Sequence, residues 1–112
     1  MQDLVRQASA SHALKQSQAF REYGRLMSAG RAANRAGAFE EARRHFTEAY
    51  LVSRRPAAKL SSANMQLKLG DAAGALDVYL EMIRKGDYPP NHEVLHRKIR
   101  EACGLARAVY AR

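Results

Sequence analysis

Two segments of the chain carry the same arrangement of small and apolar residues, and this repeat constrains the fold more than any other feature. The segments are AGAFEEARRHFTEAY, residues 36–50, and LGDAAGALDVYLEMI, residues 69–83. Each contains six positions at offsets 0, 3, 4, 7, 10 and 11, a spacing that places all six on one helical face. The matched positions are Phe39, Ala42, Arg43, Phe46, Ala49 and Tyr50 in the first segment, and Ala72, Ala75, Leu76, Tyr79, Met82 and Ile83 in the second.

The two segments are 33 residues apart, and each follows a glycine, Gly37 or Gly70. Helix pairs joined by a glycine turn and repeated at about this period are typical of helical solenoids. The sequence therefore predicts an all-α fold, a short helical-repeat solenoid. Ala42 and Ala75 should be buried, because a small residue there lets two helix backbones approach closely.

The pattern resembles the tetratricopeptide repeat (TPR), whose units are pairs of antiparallel helices. The matching residues are Gly30, Gly37, Phe39, Glu41, Ala42, Phe46 and Ala49 in the first unit, and Ala63, Gly70, Ala75 and Tyr79 in the second. The chain departs from the family where the first helix carries a large aromatic residue, since Leu26 and Lys59 stand there. The resemblance implies stacked helix pairs with a concave groove that binds peptides or proteins.

The segment GALDVYLEMIRKGDYPPN, residues 74–91, also resembles a pentatricopeptide repeat (PPR), because Met, Gly and Pro follow the second helix at that family's intervals. PPR proteins bind single-stranded RNA. This resemblance implies an alternative function as a PPR-like RNA binder or an RNA-associated subunit of a ribonucleoprotein. RNA-reading arrays normally use many units in series, so a single such unit favours protein binding.

One domain of 112 residues is expected, in four parts. Residues 1–20 should form an N-terminal helix that is loosely held, residues 21–55 the first repeat, residues 56–88 the second, and residues 89–112 a capping helix. The predicted helices are Asp3–Phe20, Arg21–Ala36, Phe39–Ser53, Ala57–Leu69, Ala72–Lys85 and Asn91–Tyr110. In the last helix an apolar stripe suits the covering of a repeat core; its residues are Leu95, Ile99, Ala102, Ala106 and Val109.

The chain is strongly basic, with 19 Lys and Arg against 11 acidic residues and a formal net charge of +8 spread along its length. Such a charge favours acidic partners, either peptide or RNA. Cys103 is the only cysteine, so no intrachain disulfide can form and a reducing compartment is expected. No apolar run approaches the roughly 20 residues of a membrane helix. We expect a cytoplasmic location, and the Ser-rich, acid-poor start resembles a mitochondrial presequence, which makes mitochondria the alternative.

The segment HEVLH, His92 to His96, matches the zinc-protease motif, in which two histidines bind the metal and the glutamate activates water. A zinc hydrolase is therefore a remote alternative. The motif's extension in one such family would need glycine at Ile99 and histidine at Ala102, and a third ligand is required. The sequence favours histidines that flank the apolar stripe of a capping helix, and it predicts no metal ligands and no catalytic residues.

Family positions carried over from the TPR resemblance place the partner-binding surface on the first helix of each unit. The predicted residues are Arg31, Asn34, Arg35, Asn64, Leu67 and Lys68, with Arg97 and Lys98 added by the capping helix. Asn64 stands where clamp-type TPRs hold an asparagine that bonds a peptide backbone or terminal carboxylate. Met27 and Leu60 replace polar clamp residues, so the expected ligand is an extended or helical segment with acids and apolar anchors.

These features together predict a non-catalytic protein–protein interaction module, acting as an adaptor, chaperone or assembly factor, with no cofactor. Two repeats are few for a solenoid. A second copy or a larger complex is therefore expected to cover the open end of the array.

Overall fold

The computed structural model describes the backbone of residues 2–89 and 91–110, and the side chains of residues 10–89 and 91–108. Over these residues the chain forms helices and short turns, with no strand. The helices are α1 (Gln2–Arg35), α2 (Phe39–Ser53), α3 (Pro56–Lys68), α4 (Ala72–Arg84) and α5 (Glu93–Tyr110). The predicted all-α class is confirmed, and the predicted ends of α2 to α5 are correct to within two residues.

Helix α1 runs without interruption for 34 residues, so the predicted break between Phe20 and Arg21 is wrong. The physical reason is that no residue there stops a helix. The first glycine of the chain is Gly24 and the first proline is Pro56. At 1.5 Å per residue, α1 is about 51 Å long, and it accounts for most of the 67 Å length of the molecule.

Three helices end in the same way, at glycines with positive φ angles. Gly37, Gly70 and Gly86 have φ values of 77°, 94° and 81°. In each turn the amide after the glycine donates to the carbonyl five residues earlier, from Ala38 to Ala33, Asp71 to Gln66 and Asp87 to Met82, each at 2.9 Å. This is the Schellman pattern, which satisfies carbonyls left open at a helix end. The first two such ends lie 33 residues apart, the period read from the sequence.

The buried residues form two clusters. The first contains Leu26, Met27 and Ala33 of α1, Ala42, Phe46 and Ala49 of α2, and Ala58 and Met65 of α3. The second contains Ala63 and Leu67 of α3, Ala72, Ala75 and Tyr79 of α4, and Leu95 and Ala102 of α5. Helix α3 thus packs on both sides, into the pair before it and into the helices after it.

Helix α5 covers the second cluster with the stripe read from the sequence. Leu95 and Ala102 are fully buried, and Ile99 and Ala106 pack against the same cluster. The side chain of Val109 lies outside the described residues. The arginines of α5 that lie off this stripe are exposed, so α5 presents an apolar face to the core and a basic surface to water.

At Gly30 of α1 the first two helices pack without room for a side chain. A Cβ atom built on Gly30 would lie 2.5 Å from Cε1 of Phe46, which is far inside van der Waals contact. Ala42 and Ala75 are both 0% exposed, so the predicted burial of the two repeat alanines is confirmed. The small and aromatic residues of the repeat therefore pack together, and the Phe46 ring fills the space that the missing side chain of Gly30 leaves.

Replacing Gly30 with alanine should destabilise the protein by about 1–3 kcal/mol, because the added methyl group overpacks against Phe46. A Cβ atom added to Gly24, in the same helix, would meet nothing within 4 Å. Gly24→Ala should therefore stabilise the protein, by up to about 1 kcal/mol, through helix propensity alone. Urea unfolding followed by circular dichroism measures both changes, and equal effects of the two substitutions would contradict the proposed packing.

Candidate functional site

The α1 part of the predicted surface consists of exposed cations beside a half-buried amide. Arg31 and Arg35 are exposed, whereas Asn34 is half-buried. Arg31 donates a long hydrogen bond of 3.5 Å from Nη2 to Oγ of Ser28. Among the described residues neither arginine forms an ion pair with a carboxylate. Both guanidinium groups are therefore available to an anionic ligand.

Lys68 joins α3 to α1 at this surface. Its Nζ donates to Oδ1 of Asn34 at 2.7 Å, and it lies 5.0 Å from the centre of the Phe39 ring. The contact brings together two predicted residues that are 34 positions apart in the chain. Neither the amide nor the ring carries a charge, so these contacts leave Lys68 without a carboxylate partner among the described residues.

Asn64 lies one turn before Lys68, and a buried tyrosine holds its side chain. The Tyr79 hydroxyl donates to Oδ1 of Asn64 at 2.7 Å. Tyr79 is 0% exposed, and this burial, together with the negative charge of Glu101, raises its pKa above the ordinary value. The bond leaves the amide NH₂ of Asn64 to act as a donor, and it fixes the orientation of that group.

On α5, the predicted residue Lys98 is paired with Glu101 of the same helix. Oε2 of Glu101 lies 3.5 Å from Nζ of Lys98. The negative charge of Glu101 helps to raise the pKa of Tyr79, but no described hydrogen bond or ion pair joins Glu101 to Tyr79 or Asn64. Arg97 is exposed, and no described hydrogen bond or ion pair connects it with Asn64 or Lys98.

The apolar residues predicted for the groove lie deeper than the polar ones. Leu67 is 4% exposed and Met27 is 6% exposed, and each belongs to a core cluster. Leu60 is half-buried. The structure therefore places Leu67 in the core, where its side chain supports the surface from below and is not available to a partner. The TPR resemblance predicted Leu67 at the binding surface, whereas α3 has two buried sides and Leu67 lies on one of them.

Other cations of the chain are already neutralised by neighbours on the same helix. Arg25, Arg43 and Arg84 each bind the glutamate three residues earlier. Hydrogen bonds from these arginines lower the pKa values of the glutamates, Glu22, Glu40 and Glu81. These exposed pairs contribute little to stability, but they reduce the positive charge on their faces of α1, α2 and α4.

The two histidines of the HEVLH segment have different surroundings. His92 precedes α5, and its Nδ1 accepts a hydrogen bond of 3.3 Å from the amide of Leu95. The His92 ring also packs on Tyr88, with ring centres 4.9 Å apart. His96 lies within the helix and is exposed. His92 thus takes part in capping the helix, and a pair of zinc-binding histidines one helical turn apart needs both residues inside the helix.

A cluster of cations and aromatic rings, which the sequence pattern did not predict, lies where α2 meets α3. The Arg55 guanidinium carbon is 5.1 Å from the centre of the Phe20 ring and 4.9 Å from that of Tyr23. Arg54 and Lys59 lie 5.4 and 5.3 Å from the ring of Tyr50. We call these six residues the junction cluster. The segment SRRPAAK, residues 53–59, was a signal for it, since it holds three cations and no acid.

Within the residues described, no helix combines the length and the apolar character needed to cross a membrane. Over the same residues, no three histidine, cysteine, aspartate or glutamate side chains come together in a way that could hold a metal ion. The chain matches none of the protein-family models, curated proteins or solved structures with which it was compared.

Replacing Tyr79 with phenylalanine should cost about 0.5–1.5 kcal/mol of stability at pH 7, through loss of the hydrogen bond to Asn64. The pKa of Tyr79 is raised on folding. Its contribution is therefore complete below the unfolded pKa, near 10, and is lost as the pH rises above that value. Urea unfolding between about pH 8 and 11.5 should show the wild-type chain losing its advantage over Tyr79→Phe above about pH 10. A difference that does not change with pH would contradict this assignment.

Proposed function

We propose that the chain is a non-catalytic protein–protein interaction module built from two TPR-like helix pairs, α1–α2 and α3–α4, and capped by α5. Its ligand is a protein segment with acidic and apolar residues, bound on the face that α1, α3 and α5 share. It acts as an adaptor, chaperone or assembly factor. A cytoplasmic location, with mitochondria as the alternative, belongs to the same proposal.

Two observations support the repeat arrangement. The Schellman ends at Gly37 and Gly70 lie 33 residues apart, so the turn inside each helix pair falls at the same point of the repeat. Helix α3 contributes to both core clusters, as the first helix of a second unit does when it stacks on the unit before it. We infer a short solenoid from this combination of period and shared packing.

One observation carries the proposed function, namely that two polar contacts join α3 to α1 and to α4 and hold two surface side chains of α3 in place. Lys68 is bound to Asn34 of α1, and Asn64 one turn away is bound to Tyr79 of α4. Both side chains are held in place before any ligand arrives, so a partner need not pay the entropy of ordering them. Arg31 and Arg35 lie beside Asn34 and supply charge for acidic side chains of the ligand.

Substituting glutamate for both Arg31 and Arg35 should weaken partner binding by about 10–100-fold, because two charge-assisted contacts become repulsive. Both side chains are exposed, so the fold should be retained, and circular dichroism checks this. The measurement is capture of proteins from native extract on the immobilised chain, with and without RNase. At least one protein bound by the wild-type chain should be lost with the double variant.

The matched control reverses two exposed arginines on other helices, Arg44 of α2 and Arg107 of α5. It changes the net charge by the same amount, so it should retain the captured protein. An RNA-binding chain would behave differently, since association with RNA depends on total charge and falls steeply with salt. Loss of every captured protein on RNase treatment, or equal loss with both double variants, would favour the RNA-associated function instead.

A further inference from the structure

Helix α1 extends beyond the end of α2, and the two helices form a step at that point. Helix α2 ends at Ser53, close to Phe20 of α1, whereas α1 extends from there towards Gln2. The side chains of residues 10–18 are all exposed. This part of α1 therefore has a helical surface that no other described element covers.

The corner of the step is a cleft of about 500 Å³ lined by Gln16, Ala19, Phe20, Val52, Ser53 and Arg55. Half of these residues are apolar. Phe20 is 60% exposed and Val52 is 41% exposed. Exposed apolar side chains gathered in a cleft of this kind mark a surface that another molecule covers.

The rim of the cleft is basic. Arg54 and Arg55 are both exposed, and within the described part of the chain neither forms an ion pair with a carboxylate. Lys15 and Arg21, on α1, are exposed as well. Arg55 is held over the rings of Phe20 and Tyr23, so its charge stays next to the apolar surface. A ligand here must combine apolar contact with negative charge.

Three ligands could cover the cleft, namely a second copy of the chain, a single-stranded nucleic acid or a helix of another protein, and shape and charge favour the last. A second copy of this chain would bring another +8 of net charge against a rim that is already positive. Single-stranded nucleic acid stacks successive bases on successive rings, and here Phe20 is exposed while Tyr23 and Tyr50 are half-buried. The uncovered side of α1 is a helical surface, against which another helix can pack.

We propose that the cleft is a docking site for an acidic amphipathic helix of a partner protein. The apolar face of that helix contacts Ala19, Phe20 and Val52 while it lies along α1. Its carboxylates pair with Arg54 and Arg55 at the rim. This surface is separate from the one that holds Arg31, Asn64 and Lys68, so it can fail or succeed independently of the proposed function.

The test uses a synthetic peptide of about 18 residues, roughly 27 Å as a helix, with leucines on one face and glutamates on the other. It is titrated into the full-length ¹⁵N-labelled chain. A peptide of the same composition, in an order that destroys the apolar face, is the control. The amphipathic peptide should shift the amide signals of residues 16–20 and 52–55, and the control peptide should not. Equal binding of both peptides, or shifts centred on Arg31 and Asn64, would overturn the proposal.

Two substitutions in the cleft should each weaken binding of the amphipathic peptide by about tenfold or more. Phe20→Ser removes the apolar anchor, and Arg55→Glu reverses the charge. Their matched controls are Leu80→Ser, at a residue that is 48% exposed on α4, and Arg44→Glu, on the exposed side of α2. Both controls should bind the peptide as the wild type does. Equal losses in cleft and control variants would show unspecific attraction and overturn the assignment.

The other occupants are tested in the same experiment. A uridine oligomer of about ten nucleotides that shifts the signals of residues 16–20 and 52–55 more strongly than the peptide would assign the cleft to nucleic acid. Signals of these residues that move with protein concentration alone would assign it to a second copy. Either result overturns the proposal of an acidic helix.

Discussion

The structure depends on the contact between Phe46 and the bare backbone at Gly30. A Cβ at Gly30 would collide with the ring, so α1 and α2 can approach this closely only because a side chain is missing. In the second pair, Ala75 and Tyr79 are both fully buried in one cluster, which repeats the combination of a small residue and a large ring. Dispersion contacts of this density require a fixed geometry, and the positions of the surface side chains follow from it.

The packing of the core also fixes the orientation of a polar side chain at the surface. Tyr79 is a core residue whose ring is buried, and its hydroxyl reaches the half-exposed Asn64. Among the described residues, no buried side-chain nitrogen or oxygen lacks a hydrogen-bond partner. The side-chain oxygen of Asn64 therefore accepts the hydrogen bond of the buried Tyr79 hydroxyl, while its NH₂ group is left for the surface. A ligand that binds there meets a donor whose direction the core has set.

The sequence predicted most of the fold because its signals were local. Glycine turns, proline at the start of α3 and the spacing of small and aromatic residues located α2 to α5 and the burial of Ala42 and Ala75. The predicted break after Phe20 was wrong, because the chain has no glycine or proline there and α1 continues to Arg35. The candidate site was predicted less well. The bond between Lys68 and Asn34, the burial of Leu67 and the contacts of Arg55 with Phe20 and Tyr23 depend on residues distant in sequence, and one-dimensional patterns do not report such contacts.

Helix α3 contributes buried residues to both core clusters. Ala58 and Met65 complete the cluster of α1 and α2, while Ala63 and Leu67 complete that of α4 and α5. If the helices on either side of α3 move away, one side of α3 is exposed to water, and α3 is the helix that the remaining cluster needs. The two halves of this small chain are thus coupled in their folding, and the residues of α3 determine whether the domain melts in one transition or in two.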